Sequence, residues 1–262
     1  MKTRLDAELV RRGLARSRDN AIDLIDRGQV LVNGIPASKA ASQVDAQISI
    51  TLKNDHDEFV SRGGHKLAGA LDHFSTLSVE GKVALDAGAS TGGFTDVLLK
   101  RGVKKVIAVD VGYGQLAWSL QSDERVKILD RVNVRTLTKD IVGESVDLIV
   151  ADLSFISLKL VLPALISVAK DEADFLIMVK PQFEVGKEKL GAGGVVRDAH
   201  LRKEAVLAVA SSAKSLGLGC FGVVASSLPG PSGNVEYFLW LNKAAPSLLE
   251  VDLDLAIEKG PA

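Results

Sequence analysis

The run Asp86-Ala-Gly-Ala-Ser-Thr-Gly-Gly-Phe-Thr-Asp96 constrains this chain more than any other segment. It follows the apolar stretch Val83-Ala-Leu85 and leads into the helical pattern Phe94-Thr-Asp-Val-Leu-Leu-Lys100. A strand, a glycine turn and a helix in that order make a nucleotide-sized pocket. Glycines have no Cβ, so the backbone can turn sharply and a ligand can lie against it. The helix start then offers free N–H groups to a carboxylate or phosphate. A dinucleotide site would read G-x-G-x-x-G, but here the glycines stand at 88, 92 and 93, so that template fails. An acid two places before the first glycine fits an S-adenosylmethionine (SAM) site instead.

With 262 residues the chain has room for a medium domain plus a small one. Its formal charge is −1, so any grip on nucleic acid must come from a local patch. One cysteine, Cys220, excludes an internal disulfide and a multi-cysteine zinc site, and fits a reducing cytoplasm. Residues 1–27 are charged throughout, so no signal peptide is expected. The longest apolar stretches, near 160–169 and 175–179, are too short to span a bilayer, and no membrane partner is expected.

The first fifty residues have their own character. Leu5, Leu9 and Val10 recur at helical spacing, and Gly13 is a C-terminal stop. Ser17 can cap a second helix carrying Ala21, Ile22, Leu24 and Ile25, which Gly28 ends. Gln29-Val-Leu-Val-Asn-Gly34 reads as a strand entering an Asn-Gly hairpin turn, and Ile48–Leu52 as a closing strand. Arg4, Arg11, Arg12, Arg16 and Arg18 gather around the two helices, interspersed with Asp6, Glu8, Asp19, Asp23 and Asp26. By charge alone this is either a nucleic-acid face or a solvated charged surface.

Asn54–Glu58 is polar and reads as linker. Beyond it, short apolar segments alternate with helical ones. Seven strands are expected, at 83–87, 106–111, 126–129, 146–153, 175–180, 221–226 and 237–241, with helices at 158–170 and 201–216 among the connections. That alternation predicts an α/β fold with a seven-stranded, mainly parallel, doubly wound sheet, ending in an antiparallel pair at one edge. The organisation expected is a small α+β domain at 1–56, a linker at 57–61, the α/β domain at 62–245 and a tail at 246–262.

Ligands of such sheets bind beyond the C-terminal strand ends. Asp110 closes the second strand and can accept hydrogen bonds from the hydroxyls of a ribose. Asp130 closes the third and either approaches an adenine or belongs, with Asn133, to a capped turn. The expected cofactor pocket is walled by Asp86, Gly88, Ser90, Thr91, Gly92, Gly93, Phe94, Asp110, Val111, Asp130, Asn133 and Asp152. Asp152 ends strand four and Lys180 ends strand five, at the same rim. A lysine closing an apolar strand is costly unless paired or neutral, so a plain Asp152–Lys180 ion pair is one account of both. Phe155, after Asp152, is expected to pack in the core. Gln182–Arg197, rich in glycine and charge, is either a loop that closes over the site or a surface connection.

Two resemblances sharpen this reading. Leu5-Asp-x-x-Leu-Val-x-x-Gly13, Ser17-Arg-x-x-Ala21, Ile25, Gly28 and Val30-x-Val-Asn-Gly34 resemble the S4 domain, an RNA-binding module. The resemblance implies that Arg4, Arg11, Arg12, Arg16 and Arg18 grip RNA phosphates, giving affinity and orientation more than sequence reading. Residues 60–242 resemble the FtsJ-type ribose 2′-O-methyltransferases, which use a Lys-Asp-Lys-Glu tetrad. Lys66 in Ser61-Arg-Gly-Gly-His-Lys66, Asp152, Lys180 and Glu236 in Gly233-Asn-Val-Glu236 fall in that order.

The combination, with Ala151-Asp-Leu-Ser-Phe-Ile-Ser157, Val179-Lys-Pro-Gln-Phe-Glu-Val-Gly186 and Gly230-Pro-Ser-Gly-Asn-Val-Glu236, resembles the TlyA family from about residue 3 to residue 243. That family is also labelled haemolysin and is tied to capreomycin sensitivity. The resemblance implies SAM-dependent 2′-O-methylation of a cytidine in 23S and in some members 16S ribosomal RNA, by a cytoplasmic monomer acting on 50S and, in those members, 30S subunits. Lys180 is then the candidate base and Lys66 the oxyanion stabiliser, with Asp152 and Glu236 holding the lysines. No metal is needed, because SAM carries its own activated methyl group. The turn departs from the wider FtsJ group, which usually has Ala-Pro before Gly-Gly. Rivals are an RNA amino-methyltransferase, since Asp152-Leu-Ser-Phe155 loosely resembles a base-stacking loop, and a membrane-active haemolysin, for which no apolar span is visible.

Overall fold

The computed structural model describes residues 2–26, 28–45, 48–52 and 59–260. The chain divides into two units, Met1–Asp57 and Glu58–Ala262. Part of the expected linker, 57 and 58, lies outside the described residues.

The first unit runs β1 (Lys2–Arg4), α1 (Leu5–Arg11), α2 (Arg18–Asp26), β2 (Val30–Val32), β3 (Ile35–Pro36), β4 (Gln43–Asp45) and β5 (Ile50–Leu52). Leu5, Leu9, Ala21, Ile25, Val30, Val44 and Ile50 form its core, which is the apolar face that the helical spacing required. Ser17 Oγ accepts from Asn20 N at 3.1 Å, the capping bond expected of that position. Asn33 and Gly34 both have positive φ, +51° and +80°, and join β2 to β3 in a tight hairpin. The pairing of β1 with β4 was not legible in their short polar sequences.

The second unit contains α3 (Arg62–His73), β6 (Val83–Ala87), α4 (Gly93–Lys100), β7 (Lys105–Asp110), α5 (Trp118–Gln121), β8 (Val126–Asp130), α6 (Lys139–Val142), β9 (Val146–Ala151), α7 (Leu162–Val168), β10 (Ala169–Val179), α8 (Pro181–Glu184), α9 (Ala199–Ser215), β11 (Gly219–Ala225), β12 (Tyr237–Asn242) and α10 (Glu250–Glu258). Seven strands form one sheet in the order β11-β12-β10-β9-β6-β7-β8. The five strands from β10 to β8 pair in parallel, and β12 is antiparallel to both β10 and β11. The strand order reverses between β6 and β9, which makes their C-terminal ends the switch point.

Two apolar layers cover the sheet. Leu85, Ile107, Ile149 and Phe175 point to one, with Leu162, Val206 and Leu253 from α7, α9 and α10. Ala84, Val106, Leu148 and Leu176 point to the other, with Leu67 of α3 and Leu98 of α4. This alternation is why the central strands are largely apolar on both faces, with Asp86 of β6 and Asp174 of β10 as polar exceptions held by hydrogen bonds.

Three expectations are corrected. The helix at 158–170 is a 3₁₀ turn at 158–160 followed by α7, because Pro163 begins a fresh helix and the chain turns extended at Ala169. The helix α3 was not anticipated, since Gly63 and Gly64 interrupt its pattern. The tail contains α10, with Leu253 fully buried. Among the described residues no helix is long and apolar enough to cross a membrane.

Away from the switch point, Asp174 ties three segments together. Its carboxylate accepts from Lys82 Nζ (2.7 Å), Trp240 Nε1 (2.9 Å) and Asn242 Nδ2 (3.0 Å). Asp174→Ala removes the acceptor of Lys82 and Trp240 and one of three from Asn242, and is expected to cost about 2–3 kcal/mol of stability in urea unfolding.

Candidate active site

The parallel strands deliver their last side chains to one rim. Asp86 near the end of β6, Asp110 of β7, Asp130 of β8, Asp152 after β9 and Lys180 after β10 all stand there. Glu236 reaches the same rim by a different route. Because β12 is antiparallel, its first residue Tyr237 pairs with Val179, the last of β10. Glu236 therefore stands beside Lys180. Lys66 arrives from the first two turns of α3, which packs over the sheet through Leu67 and Leu71.

These four side chains form two ion pairs. Lys66 Nζ lies 2.5 Å from Glu236 Oε2, and Lys180 Nζ lies 2.5 Å from Asp152 Oδ1. Ser154 Oγ is 3.1 Å from Lys180 Nζ, a third member of that pair that the sequence reading missed. Both lysines are 8% exposed and Glu236 is fully buried. Charges this deep persist only when paired. The ion pair and the tetrad are thus the same atoms: two lysines each paired with its own carboxylate on one rim of the sheet.

The glycine turn lies alongside. Gly88 has φ +86°, and a Cβ there would sit 2.6 Å from the carbonyl oxygen of Asp152, so only glycine lets the β6 and β9 ends approach. A cavity of about 110 Å³ is walled by Ser61, Gly63, Gly88, Ala89, Ser90, Thr91, Gly93, Phe94 and Asp152. Ser61 and Gly63 were not anticipated there. They enter because Gly93 leaves room for the start of α3, where a Cβ would meet Ser61 Oγ. A larger cavity, about 500 Å³, opens at the β11 edge near Phe74 and Trp240, remote from these charges. Chemistry, not size, selects the smaller one.

Asp86 is fully buried and pushed up to about 7, chiefly by loss of solvent, with Asp152 and Asp110 adding repulsion. Thr95 Oγ1 donates to its Oδ2 at 2.7 Å, a contact not foreseen from sequence, while Oδ1 has no partner among the described residues. Asp110 is held by Ser90 N (2.8 Å) and Gly112 N (2.7 Å), one on each oxygen. Asp130 accepts from Gly114 N at 2.9 Å. Asn133 caps the 3₁₀ turn at 134–136 through Arg135 N, the capped-turn alternative. Val111 is exposed and Gly92 adopts φ +95° at the start of α4.

Phe155 departs from expectation. It is 91% exposed, with φ +63°, and its ring lies 5.1 Å from that of Phe183. It is no core residue: the turn after Asp152 throws it outward. Glu184 fixes that turn to the one after Lys180, accepting from Ser157 Oγ (2.6 Å) and Leu158 N (2.7 Å), and burial holds its carboxyl above the usual range. The segment 186–197 includes short 3₁₀ turns and is anchored by Asn234, whose Oδ1 accepts from Val196 N at 3.1 Å.

Of the acids interspersed among the arginines of the first unit, Asp19, Asp23 and Asp26 are exposed, but two are not on the surface. Asp6 and Glu8, 1% exposed each, lie beneath them. Asp6 pairs with Arg4 and Arg18, Glu8 with Arg11 and Arg12. Arg12 turns inward, donating to Ile48 O at 2.8 Å, whereas Arg16 is exposed and enters none of these pairs. Arginine contacts hold Glu8 down to about 2 and Asp6 well below the usual carboxylate range.

Comparison with known proteins agrees with this geometry. The model of the FtsJ-like methyltransferase family matches residues 59–243, and that of the S4 domain residues 3–47. Fold and rim define an FtsJ-like methyltransferase carrying an S4 domain. The 16S/23S rRNA (cytidine-2′-O)-methyltransferase TlyA of Mycobacterium tuberculosis is 56% identical, the match covering 99% of each chain. Hemolysin A of Brachyspira hyodysenteriae is 36% identical over 89% of this chain and 97% of its own. A solved hemolysin structure from Streptococcus thermophilus superposes with a TM-score of 0.78 at 36% identity, covering 98% of this chain and 95% of that one. The chain belongs to the TlyA family.

The raised Asp86 carboxyl has a thermodynamic consequence. Between about pH 4 and 7 the folded state holds this proton and the unfolded chain does not, so stability falls as pH rises and the full cost persists above 7. Asp86→Asn is expected to raise the melting temperature at pH 8 by several degrees and to flatten its fall from pH 5 to 7. Calorimetry across that range checks it.

Proposed function

We propose that this chain transfers a methyl group from SAM to the 2′-hydroxyl of a cytidine ribose in ribosomal RNA, in 23S and, as in the mycobacterial relative, 16S. The observation that carries the reading is the paired tetrad, Lys66–Glu236 and Lys180–Asp152, on the rim of an FtsJ-like sheet. The chain's residues fit SAM. Asp86 Oδ1 is a buried acceptor lacking a donor, which an ammonium would supply, and the Gly88 turn offers bare backbone beside it. Gly92 and Gly93 with Ser90, Thr91 and Phe94 would hold the amino-acid end. Asp110 would accept from ribose hydroxyls, with Val111, Asp130 and Asn133 towards the base. When bound, SAM supplies a methyl group already activated by its positive sulfur.

A ribose hydroxyl is a poor nucleophile and needs its proton removed as it attacks. Lys180 is the base that takes that proton; Asp152 and Ser154 aim its Nζ. Lys66, anchored by buried Glu236, stabilises the negative charge that develops on the oxygen. Phe155, exposed beside Phe183, offers a face on which a base can stack while its ribose meets the lysines. The same exposed ring favours the amino-methyltransferase reading, but an exocyclic amine has no use for two paired lysines. Product mapping separates the two: a methylated ribose supports this reading and a methylated base replaces it. The S4 unit, through Arg4, Arg11, Arg16 and Arg18, brings the RNA. The enzyme then acts as a cytoplasmic monomer on ribosomal subunits.

Lys180→Ala is expected to lower methyl transfer at least about 100-fold, with SAM affinity by calorimetry and subunit binding nearly unchanged. Labelled SAM with purified 30S and 50S subunits measures it. A near-normal rate moves the base elsewhere, and wild-type protein that methylates neither subunit overturns the function.

A further inference from the structure

The acids of α1 lie under its arginines in a fixed geometry. Arg4 meets Asp6 side-on, with Nε to Oδ1 at 3.1 Å and Nη2 to Oδ2 at 2.8 Å. Arg11 meets Glu8 the same way, with Nε to Oε2 at 2.7 Å and Nη2 to Oε1 at 2.6 Å. Arg18, from α2, reaches Asp6 Oδ2 through Nη2 at 3.0 Å. The carboxylates are buried, while the side chains of Arg4, Arg11 and Arg18 are 46%, 60% and 58% exposed.

A guanidinium carries five N–H groups. Side-on pairing uses Nε–H and one proton of Nη2. It leaves both protons of Nη1 and one of Nη2, which form the end-on fork that matches two phosphate oxygens. Asp6 thus binds the inner edge of Arg4 and Glu8 that of Arg11, leaving their outer edges outward, while Arg18 spends one Nη2 proton on Asp6 and keeps its other terminal protons for a fork. Arg12 differs: Nη1 is spent on the Ile48 carbonyl and its side chain is 21% exposed.

We propose that Asp6 and Glu8 are positioning residues for RNA binding: they hold Arg4, Arg18 and Arg11 as preset forks for closely spaced phosphates. The inference rests on the reading that this unit grips ribosomal RNA. It opposes simple charge counting, in which an acid beside an RNA-binding face weakens binding. The acids are shielded by the arginines, and salt screens their effect on phosphates at the surface. Freeing an arginine, by contrast, makes RNA immobilise it, an entropic cost that weakens binding several-fold for each such side chain.

The test uses the full-length protein and purified 50S subunits at near-physiological salt, reading Kd by co-sedimentation and KM and kcat for methyl transfer. Arg18→Ala tests the underlying reading: weaker binding supports it, and unchanged binding removes it and this proposal with it. Asp6→Asn adds one positive charge. Positioning predicts that its Kd and KM nevertheless rise about tenfold, with kcat at saturating subunits and SAM affinity unchanged. Equal or tighter binding, with Arg18→Ala still weakened, overturns the positioning role alone. Arg18→Lys guards against a folding defect in Asp6→Asn, because it keeps the charge and loses the fork. It should lose most of what Arg18→Ala loses; wild-type binding by this variant overturns the proposal.

Discussion

Charge buried on an apolar rim must be paired, and this requirement organises the second unit. Lys66 and Lys180 are nearly inaccessible, and each has a carboxylate at 2.5 Å. Taking such groups out of water costs several kcal/mol per ion, recovered only in close geometry. Asp152 can meet Lys180 because β9 and β10 run parallel and end together. Glu236 can meet Lys66 because β12 enters antiparallel and begins at that same rim. Move β12 to the opposite direction and the fourth charge would sit at the far end of the sheet.

The first unit meets the same requirement at its surface. Asp6 and Glu8 are buried while Arg4, Arg11 and Arg18, which they bind, stay exposed, so these charges of both signs coexist with the basic groups outermost. A formal charge of −1 for the whole chain conceals this arrangement. Net charge bears on long-range attraction, whereas grip on phosphate depends on which atoms of each ion face outward.

The relatives carry two kinds of name, methyltransferase and hemolysin, for chains of the same architecture. The rim supports the first, since its paired lysines and carboxylates have a use in proton transfer. The exposed Phe155 and the Glu184 clamp belong to the same reading, as they shape the turns that follow Asp152 and Lys180.

The sheet was legible in the chain because strands buried on both faces must be largely apolar; six of the seven stand within two residues of where that pattern put them, and β10 begins six residues early, at Ala169, through the exposed polar run 170–172. The glycine turn was equally plain, since a close backbone approach excludes other residues, and Asp152 and Lys180 stood out as polar ends of apolar strands; Lys66 and Glu236 came only from the resemblance to the FtsJ-type enzymes. Helix α3 hid behind Gly63 and Gly64, and Phe155 misled because an aromatic after an apolar strand normally packs inward. Which lysine meets which acid, that Thr95 rather than a distant group serves Asp86, and that Asp6 and Glu8 lie beneath their arginines were decided only by tertiary structure. Periodicity along the chain reports which face of an element is buried; partners separated by 170 residues, as Lys66 and Glu236 are, become neighbours only through the direction and order of strands.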